Sequence, residues 1–426
     1  MVGPGRRVFA ALAGTVVAAA ALAWPAVMWL TNEPDQRLVD LDVYRTAGIA
    51  LLHGESIYAF VTEPPQLLPF TYPPFAALLA IPLAWLPWPA AQLVMVLLIY
   101  VALAVAARYA FRPLLDRAGR WAPLVFGVLI ALLIFPMPLR DQVRFGQVDL
   151  FLVALCVADC AAPRTRWPRG LLVGLAMAIK LTPGVFLIYL LITRRREAAV
   201  NALFTAAGAT LFTFALLPRD SLDFWFGALL EGDRVGSNYV TSNQAVRGFL
   251  LRMYWPDLVT VLVWLAAAAV LAWVGFRYAR RLSLAGASGL LPPADSRSAE
   301  MAGIAVTGLV AVIISPVSWI HHLAWVVLVL GALTGDGRNL RRCYVAGGVW
   351  LFYTLHLPWW GTRHIPGGNP LWEQALGRIL QSSYGLGAVA LLFLLGSWLM
   401  NEMWRKIPAD RRYEDRTDAT MGTLTS

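Results

Sequence analysis

Two aspartates, Asp40 and Asp42, are the first residues of the chain whose type and spacing could do chemistry. They lie two positions apart, just beyond a long apolar stretch. At that spacing, two carboxylates point in opposite directions on a strand and about 160–200° apart on a helix, so they are not expected to work as a matched pair. One of them could accept a proton from a bound hydroxyl group as a general base. The alternative is an ordinary solvated beginning of a loop.

Further polar motifs interrupt the apolar chain, and each is a weak signal when taken alone. The adjacent pair His321-His322 is a poor indicator of a metal site, because side chains at neighbouring positions diverge. We therefore predict no bound metal, and no motif indicates a cofactor. In chain order the motifs are Phe70-Thr71-Tyr72-Pro73-Pro74, Arg144-Phe145-Gly146-Gln147-Val148-Asp149, Lys180-Leu181-Thr182-Pro183, Thr241-Ser242-Asn243-Gln244 with Arg247, and Ser315-Pro316-Val317-Ser318-Trp319-Ile320-His321-His322.

The composition argues against a water-soluble enzyme. Hydrophobic residues make up 59% of the 426 residues and charged residues only 14%, whereas soluble domains carry roughly 25% charged residues. The net charge of +10 comes from arginines in short runs between apolar stretches, which is typical of cytoplasmic membrane loops rather than of nucleic-acid binding. The cysteines Cys156, Cys160 and Cys343 show no disulfide or zinc spacing. The sequence predicts a polytopic membrane protein.

Apolar stretches occur often enough for about ten to twelve membrane crossings, since a helix needs about 20 apolar residues to cross a bilayer. This predicts an all-α polytopic fold. The first stretch also resembles a signal peptide, but its length and the stretches that follow favour an uncleaved first span. The long stretches are roughly 8–30, 90–111, 121–138, 198–217, 257–276, 343–357 and 383–403, and shorter or broken ones lie near 75–87, 147–161, 170–193, 301–314 and 323–334.

The distribution of Lys and Arg sets the expected orientation, because cytoplasmic loops carry an excess of basic residues. When the basic clusters are placed in the cytoplasm, the polar motifs gather on the opposite, outer face. That clustering is the first functional signal. The outer segments are then 31–74, 139–147, 218–256, 315–322 and 358–382.

The stretch 170–193 has basic residues at both ends and therefore cannot cross the membrane once. Pro183 breaks a helix, and Lys180 is costly in hydrocarbon. We predict a hairpin of two short helices with Lys180-Leu181-Thr182-Pro183 at its tip. We also predict a single transmembrane domain over 1–405, a cytoplasmic loop at 283–300 and a disordered cytoplasmic tail at 406–426.

An ordered set of motifs extends over roughly residues 35–325. It consists of Asp40-Leu-x-Val-Tyr44 with Gly48, Phe70-x-Tyr72-Pro73-Pro74, Gly146-Gln147, Gly170 followed by Lys180-x-x-Pro183, Ser242-Asn243-Gln244, and Ser315-Pro316-x-Ser318-Trp319-x-His321-His322. In this order the motifs resemble those of the actinobacterial polyprenol-phosphate-mannose-dependent α-mannosyltransferases of the GT-C superfamily, which build phosphatidylinositol mannosides, lipomannan and lipoarabinomannan. Two positions depart from the family pattern: Asp149, where Asn is expected, and Ala245, where Ser is common.

The resemblance implies a GT-C fold in the plasma membrane, with outer loops that carry an active site on the periplasmic face. Its partners would be a polyprenol-phosphate-mannose donor, a glycolipid acceptor and membrane lipid. Transfer with inversion needs one base on the acceptor hydroxyl and no covalent intermediate, so one carboxylate suffices. Matching to the family motif gives this role to Asp40, with Asp42 as the alternative. A donor with a single phosphate can be served by Lys, Arg or His, so no metal is required.

The departing phosphate of such a donor needs positive charge near it. Lys180 would be expensive in an apolar hairpin unless a phosphate were its partner, and snorkelling to the interface is the alternative. His322 could contact the phosphate or act as a second catalytic base. Trp359 could stack on a sugar or simply anchor in the interface. The further substrate-binding residues that the resemblance implies are Asp42, Tyr44, Tyr72, Arg144, Gln147, Asn243, Gln244, Arg247, His321 and Arg363.

Several functions remain open at this point. The resemblance is strongest to enzymes that add an α-1,2-mannose to phosphatidylinositol tetramannoside, giving the pentamannoside. Branching of lipomannan or lipoarabinomannan and arabinofuranosyl transfer from a polyprenol phosphate are alternatives with the same fold. A lipid flippase or transporter is an alternative of another class, in which polar residues would lie near the bilayer midplane, often in inverted repeats. The clustering of motifs at one face favours interfacial chemistry.

Overall fold

The computed structural model describes residues 5–33, 36–231, 234 and 236–405. Within these residues the chain is helical, and its β-type contacts are two isolated bridges, Val61 with Pro69 and Asn243 with Trp319. The predicted all-α fold is confirmed, and the predicted tail 406–426 lies outside the described residues. The helices are α1 (Gly5–Leu30), α2 (Val39–His53), α3 (Pro74–Ala84), α4 (Trp88–Ala110), α5 (Arg112–Ala118), α6 (Ala122–Leu133), α7 (Met137–Phe145), α8 (Asp149–Ala161), α9 (Leu171–Ile179), α10 (Val185–Ile192), α11 (Arg196–Leu216), α12 (Pro218–Asp223), α13 (Val246–Leu251), α14 (Asp257–Ala287), α15 (Pro293–Ile314), α16 (Val326–Thr334), α17 (Leu340–Thr354), α18 (Leu357–Thr362), α19 (Leu371–Gln381), α20 (Ser383–Phe393) and α21 (Met400–Trp404).

Six helical spans in the described part of the chain are long and apolar enough to cross a membrane. A seventh is counted if the stretch Arg112–Leu133 and α7, which meet at a bend of 78°, form one broken span. The protein is therefore a multi-pass membrane protein. The six spans are Arg7–Leu30, Trp88–Ala110, Arg196–Leu216, Asp257–Ala287, Pro293–Ile314 and Ser383–Trp404.

The spans differ in how much of their surface the protein covers. In α15, 83% of the most apolar window is buried, whereas in α14 only 11% is. A helix that is apolar all round and largely uncovered by protein faces lipid, while α15 lies at the centre of the bundle. Small residues bring the two helices together, because a Cβ on Gly303 would lie 3.0 Å from the Ala279 carbonyl oxygen.

The number of long spans is smaller than the number of apolar stretches in the sequence. The stretch near 147–161 becomes α8, with 13 residues, and the stretch near 343–357 becomes α17, with 15 residues. Both are shorter than the roughly 20 residues that a straight crossing needs. Hydropathy alone could not separate them from true spans, because both are apolar elements of a bundle embedded in lipid.

The prediction of a cytoplasmic loop at 283–300 is wrong for most of that segment. Residues up to Ala287 continue α14, and α15 already begins at Pro293. Proline is well suited to the first turn of a helix, because its missing N–H would have no partner there and its φ is already helical. The proline pair that suggested a loop is therefore a helix start.

The break predicted within 170–193 is confirmed. Helix α9 ends at Ile179, Lys180 adopts an extended conformation with φ −150° and ψ 138°, and Pro183 lies in a single turn before α10. The extended backbone at Lys180 ends α9, and its side chain then projects from the end of a short helix. This local geometry prepares Lys180 for a role in a site.

The polar motifs meet at one end of the bundle. We call it the motif end, and it is formed by 31–33, 36–87, 137–148, 238–256 and 315–325. Contacts across it join Gln142 to the His321 carbonyl oxygen at 2.7 Å and Ser318 to Asn243 at 3.1 Å. The ion pair of Arg195 with Glu300 lies at the opposite end. The spans therefore place the polar motifs at one end of the bundle and the clusters of arginine residues at the other end.

The crossing of α1 and α6 supplies a test of the packing. A Cβ on Gly127 would lie 2.1 Å from the Gly14 carbonyl oxygen, which is far inside van der Waals contact. We expect Gly127→Leu to separate the two helices and to lower the free energy of unfolding by about 1–3 kcal/mol or more, as overpacking does. Thermal unfolding in detergent, followed by tryptophan fluorescence, measures the loss.

Gly208→Leu is the matched control, because a Cβ there meets nothing within 4 Å and the residue is exposed on α11. Its melting temperature should equal or exceed that of the unmodified protein, since glycine is a poor helix former. Equal melting temperatures for the two variants would contradict the close crossing of α1 and α6.

Candidate active site

Helix α2 places Asp40 against the junction of α7 and α8. The Leu38 amide donates to the Arg144 carbonyl oxygen at 3.2 Å, just before α2 begins. Gly146 ends α7 with φ 69°, and a Cβ there would lie 2.8 Å from the Leu41 Cβ. Only glycine combines a positive φ with this close approach without strain. Gly146 therefore brings Gln147 beside the first turn of α2.

A chain of hydrogen bonds holds the Asp40 carboxylate. Gln147 Nε2 donates to Asp40 Oδ2 at 2.6 Å, and Gln147 Oε1 accepts from the Tyr44 hydroxyl at 3.0 Å. The hydroxyl oxygens of Tyr44 and Tyr72 lie 3.0 Å apart. Because each end of the Gln147 amide has a partner, the amide cannot flip without losing both. Within the described residues Asp40 Oδ1 has no hydrogen-bond partner, so it is available to a ligand.

The environment of Asp40 suits a base. Burial raises the pKa of Asp40 to about 7, while the hydrogen bond from Gln147 and the charge of Lys180 oppose that rise. The residue lies in α2, outside the six spans. A general base works best when its pKa is near the operating pH. An ordinary exposed aspartate has a pKa near 3.9 and would be a much weaker base.

Lys180 forms the second half of the cluster. Its Nζ lies 2.8 Å from Asp149 Oδ1 and 3.1 Å from His322 Nε2. The same Nζ lies 5.3 Å from the centre of the Tyr72 ring, in cation–π range. Tyr72 therefore contacts both halves, since its hydroxyl meets Tyr44 on the Asp40 side. Asp40, Gln147 and Lys180 belong to one connected site.

We assign the tautomer of His322 from its contact with a backbone amide, so the 3.1 Å approach of Lys180 to Nε2 is a contact and not a hydrogen bond. Its Nδ1 accepts from the Trp319 amide at 3.2 Å, and burial together with the charge of Lys180 lowers the pKa of His322 well below its usual value. A neutral imidazole whose Nδ1 accepts must carry its proton on Nε2. Nε2–H and the Lys180 ammonium are then two donors that converge at 3.1 Å. Asp149 Oδ1 accepts from Lys180, and Asp149 Oδ2 lies 4.0 Å from His322 Nε2. A phosphate oxygen is a second acceptor that both donors could share.

Asp149, His321 and His322 lie close enough together for a metal ion, with one ligand atom from each within 4.8 Å of the others. The chemistry of the group does not fit one. The Lys180 ammonium already lies 2.8 Å from the Asp149 carboxylate, and a divalent cation beside it would be repelled. The tautomer of His322 also places a proton on the nitrogen that would have to bind the metal. The cluster suits an anion.

Some residues predicted for the site lie elsewhere at the motif end. Asp42 faces away from the cluster and lines a separate cavity. The guanidinium of Arg144 lies 5.2 Å from the Trp29 ring, and that of Arg247 lies 5.6 Å from the Trp264 ring. Within the described residues, none of these side chains, nor those of Trp359 and Arg363, forms a hydrogen bond or an ion pair with Asp40, Lys180 or His322.

The amides of Asn243 and Gln244 are used inside the fold. Asn243 Oδ1 accepts from the Ser318 amide at 3.1 Å, which fixes the start of the segment that carries both histidines. Gln244 Nε2 donates to the Gln381 carbonyl oxygen at 2.9 Å, and Gln244 Oε1 accepts from the Gly385 amide at 3.0 Å. Both side chains are buried. They therefore act on the site by holding its backbone.

Asp149 is the functional residue that the motifs did not assign to the site. In the sequence it ends a polar motif and departs from the family pattern, and in the structure its carboxylate pairs with Lys180. The signal available in the sequence was the presence of a lysine in an apolar stretch, because a charge at that depth requires a partner. Which of the acidic residues supplies it depends on how α8 packs against the break at Lys180.

The fold and site together define a class of protein. A multi-pass helical bundle that holds one poised carboxylate and a pair of anion-binding donors at one end is the architecture of a GT-C membrane glycosyltransferase. The family profile described as "Glycosyltransferase family 87" matches residues 70–316. The chain belongs to glycosyltransferase family 87.

Curated relatives agree with this assignment. The chain is 35% identical, over 84% of its length and 83% of the relative, to the polyprenol-phosphate-mannose-dependent α-(1-2)-phosphatidylinositol mannoside mannosyltransferase of Mycolicibacterium smegmatis. It is 34% identical to the Mycobacterium tuberculosis protein of the same name, over 78% of the chain and 82% of the relative. A phosphatidylinositol pentamannoside mannosyltransferase of Mycobacterium tuberculosis is 32% identical over 75% of the chain and 72% of the relative. No solved structure shows a significant match.

The pairing of Lys180 with Asp149 supplies a second test. Both side chains are largely buried, with 13% and 9% of their surface exposed. Asp149→Ala leaves the ammonium buried and unpaired, so we expect the free energy of unfolding to fall by about 3–5 kcal/mol. Adding Lys180→Met should recover most of the loss. Unfolding of the purified protein in mixed micelles measures both effects.

Asp116→Ala is the control for this cycle, because Asp116 pairs with Arg297 while 46% of its side-chain surface is exposed. An exposed pair contributes about 0–1 kcal/mol. The assignment of a buried, interdependent pair is refuted if Asp149→Ala costs no more than this control, or if the double variant is no more stable than Asp149→Ala.

Proposed function

We propose that the protein is an inverting α-mannosyltransferase that moves mannose from polyprenol-phosphate-mannose to a phosphatidylinositol mannoside. The observation that carries the proposal is the connected site itself. The free Oδ1 of Asp40 and the donor pair of Lys180 and His322 are joined through Tyr44 and Tyr72. Such a site provides a base for the acceptor hydroxyl and two hydrogen-bond donors for the phosphate of the mannose donor.

Asp40 is the proposed catalytic base. Its free Oδ1 takes the proton of the attacking acceptor hydroxyl while Gln147 holds Oδ2 in place. The acceptor oxygen forms a bond to the anomeric carbon of mannose, and the bond from that carbon to the phosphate oxygen breaks. Since a single displacement inverts the anomeric centre, a β-linked donor gives an α-linked product. A second carboxylate nucleophile has no part in this reaction.

Lys180 and His322 are the proposed phosphate ligands. Negative charge accumulates on the phosphate oxygen as the sugar leaves, and donors already in place stabilise it without reorganisation. The Lys180 ammonium and the neutral His322 Nε2–H converge for this purpose. His321 and Asp149 line the same cluster, and Asp149 keeps the lysine charge balanced before the donor binds.

The proposed location of the site is the periplasmic face of the plasma membrane. The basic clusters that favour the cytoplasm flank the ends of α4, α10 and α14 opposite to the motif end. Lipid-linked substrates would reach the motif end from the outer leaflet. The names of the curated relatives support the donor and the acceptor class, and within that class we propose phosphatidylinositol tetramannoside as acceptor and an α-1,2-linked pentamannoside as product.

The deciding experiment is transfer of labelled mannose from polyprenol-phosphate-mannose by the purified protein, with linkage analysis of the product. Asp40→Asn should lower kcat by about 10²–10⁴-fold, the contribution expected of a general base. Asp257→Asn is the control, because Asp257 is exposed in the first turn of α14. Full activity of Asp40→Asn would remove Asp40 from the mechanism, and transport of lipid without labelled product would favour a flippase.

The pH profile provides an independent test. Only the ionised form of Asp40 accepts a proton, and its pKa is raised to about 7. We therefore expect kcat/KM to fall about tenfold per pH unit below that value and to reach a plateau above it. The Gln147 hydrogen bond stabilises the charged form, so Gln147→Leu should move the midpoint to higher pH.

Gln374→Leu, in α19 and away from the cluster, should leave the midpoint where it is. A wild-type profile that stays flat from about pH 5 to 8, or a Gln147→Leu profile with an unmoved midpoint, would show that Asp40 is not the titrating base.

A further inference from the structure

A second cavity lies at the motif end, on the other side of α2 from Asp40. Its volume is about 230 Å³, and Arg37, Asp42, Arg45, Glu63 and Trp88 line it. Asp40 and Asp42 lie two positions apart in the first turn of α2, so their side chains leave the helix about 200° apart. Helix α2 thus presents one carboxylate to the catalytic cluster and a second carboxylate to this cavity. We call it the Trp88 cavity.

The walls of the Trp88 cavity are held in place. Arg45 Nη2 donates to the Leu86 carbonyl oxygen at 3.0 Å, and its guanidinium lies 6.0 Å from the Trp88 ring. The Arg45 Nε is buried and has no hydrogen-bond partner among the described residues. A buried donor without a partner is costly, and here it belongs to a side chain that lines an open cavity. Arg45 therefore brings unused hydrogen-bonding capacity to the wall of the cavity.

The charges of the Trp88 cavity select a class of ligand. Two arginines, Arg37 and Arg45, are balanced by two carboxylates, Asp42 and Glu63. The carboxylates would repel a phosphate, and the arginines would repel a cation. A hydroxyl group, in contrast, can donate a hydrogen bond to a carboxylate and accept one from an arginine. Trp88 adds an apolar aromatic face with a polar edge. The combination suits a neutral cyclic polyol, with hydroxyls at its rim and C–H groups on its face.

The size of the cavity admits a ring. Its volume of about 230 Å³ is many times the roughly 10–15 Å³ that one water molecule needs, so a six-membered ring fits. The position of the cavity relates it to the catalytic cluster. Arg37 and Glu63 lie between the end of α1 and the start of α3, and Trp88 begins α4. The cavity therefore opens at the same end of the bundle as the catalytic cluster.

We propose that the Trp88 cavity binds a ring of the acceptor that does not react, either a mannosyl or an inositol ring, while the terminal sugar lies at Asp40. This inference rests on the proposed function, because it assumes a glycolipid acceptor with several rings. Helix α2 carries Asp40 and also two residues of the cavity, Asp42 and Arg45, so one helix fixes the distance between the base and that wall of the cavity. The cavity then selects acceptors by length.

The test compares three acceptors with the same polyprenol-phosphate-mannose donor: an alkyl monomannoside, an alkyl tetramannoside and phosphatidylinositol tetramannoside. Trp88→Leu and Glu63→Gln should raise KM for the long acceptors about tenfold and leave kcat, the donor KM and all constants for the monomannoside unchanged. An effect already present with the alkyl tetramannoside assigns a mannosyl ring to the cavity. An effect confined to the inositol-bearing acceptor assigns the inositol ring.

Trp85→Leu and Glu55→Gln are the matched controls, because both residues are exposed and neither lines the cavity. Melting temperatures of all four variants report folding separately. Equal KM values in variants and controls overturn the proposal, and so does a loss of activity that is the same for the monomannoside as for the long acceptors. The latter would mean that the cavity shapes the active site instead of binding a remote ring.

Direct binding separates this inference from the proposed function. Calorimetric titration of the full-length protein with the soluble alkyl tetramannoside and with the corresponding inositol-bearing glycan needs no donor. The proposal expects either glycan to bind the unmodified protein and Trp85→Leu equally well, and to bind Trp88→Leu about tenfold more weakly. That result supports the cavity even if the unmodified protein transfers no mannose. In that case only the proposed function fails. Unchanged or absent binding in all three proteins overturns the cavity.

Discussion

The charge of Lys180, buried at the end of a membrane bundle, is the constraint on which the site depends. An ammonium in that position must have an anion beside it, and Asp149 supplies one at 2.8 Å. Burial and the charge of the lysine together lower the pKa of His322. The Trp319 amide donates to Nδ1 of the neutral imidazole and so leaves its proton on Nε2. Two donors then converge on one point. The positive charge is balanced in the resting protein and still directed at the place where a phosphate would bind.

The backbone that surrounds this cluster is held by residues from distant parts of the chain. Asn243 fixes Ser318 just before the histidine segment, Gln142 binds the His321 carbonyl oxygen, and Gly146 brings Gln147 against α2. Each of these residues holds a neighbouring part of the site in position and is not itself expected to contact a substrate. In the described part of this chain the site is built at the ends of membrane helices, so those helices provide the rigidity that pre-organised donors require.

The sequence was sufficient to predict the class of fold, because apolar length and motif order are local properties. It also named Asp40, Gln147 and Lys180, which the structure brings together in the candidate site. The break at Lys180 was also predictable, since Pro183 and a lysine in an apolar stretch both act against a continuous helix. The pairing of Lys180 with Asp149 and the use of Asn243 inside the fold were not predictable, because both depend on contacts between separate helices. The stretch 343–357 is counted among the long spans in the sequence but forms only the 15 residues of α17, because hydropathy does not show where a helix ends.

The tautomer of His322 has a consequence for the end of the catalytic cycle. In the proposed reaction the acceptor proton goes to Asp40, and a neutral imidazole already protonated on Nε2 gives the departing lipid phosphate a hydrogen bond. The donor is a diester with one negative charge, whereas the spent carrier is a monoester that gains most of a second. The ammonium and the imidazole would therefore bind the spent carrier more tightly than the fresh one, and release of the lipid phosphate would have to overcome that added attraction.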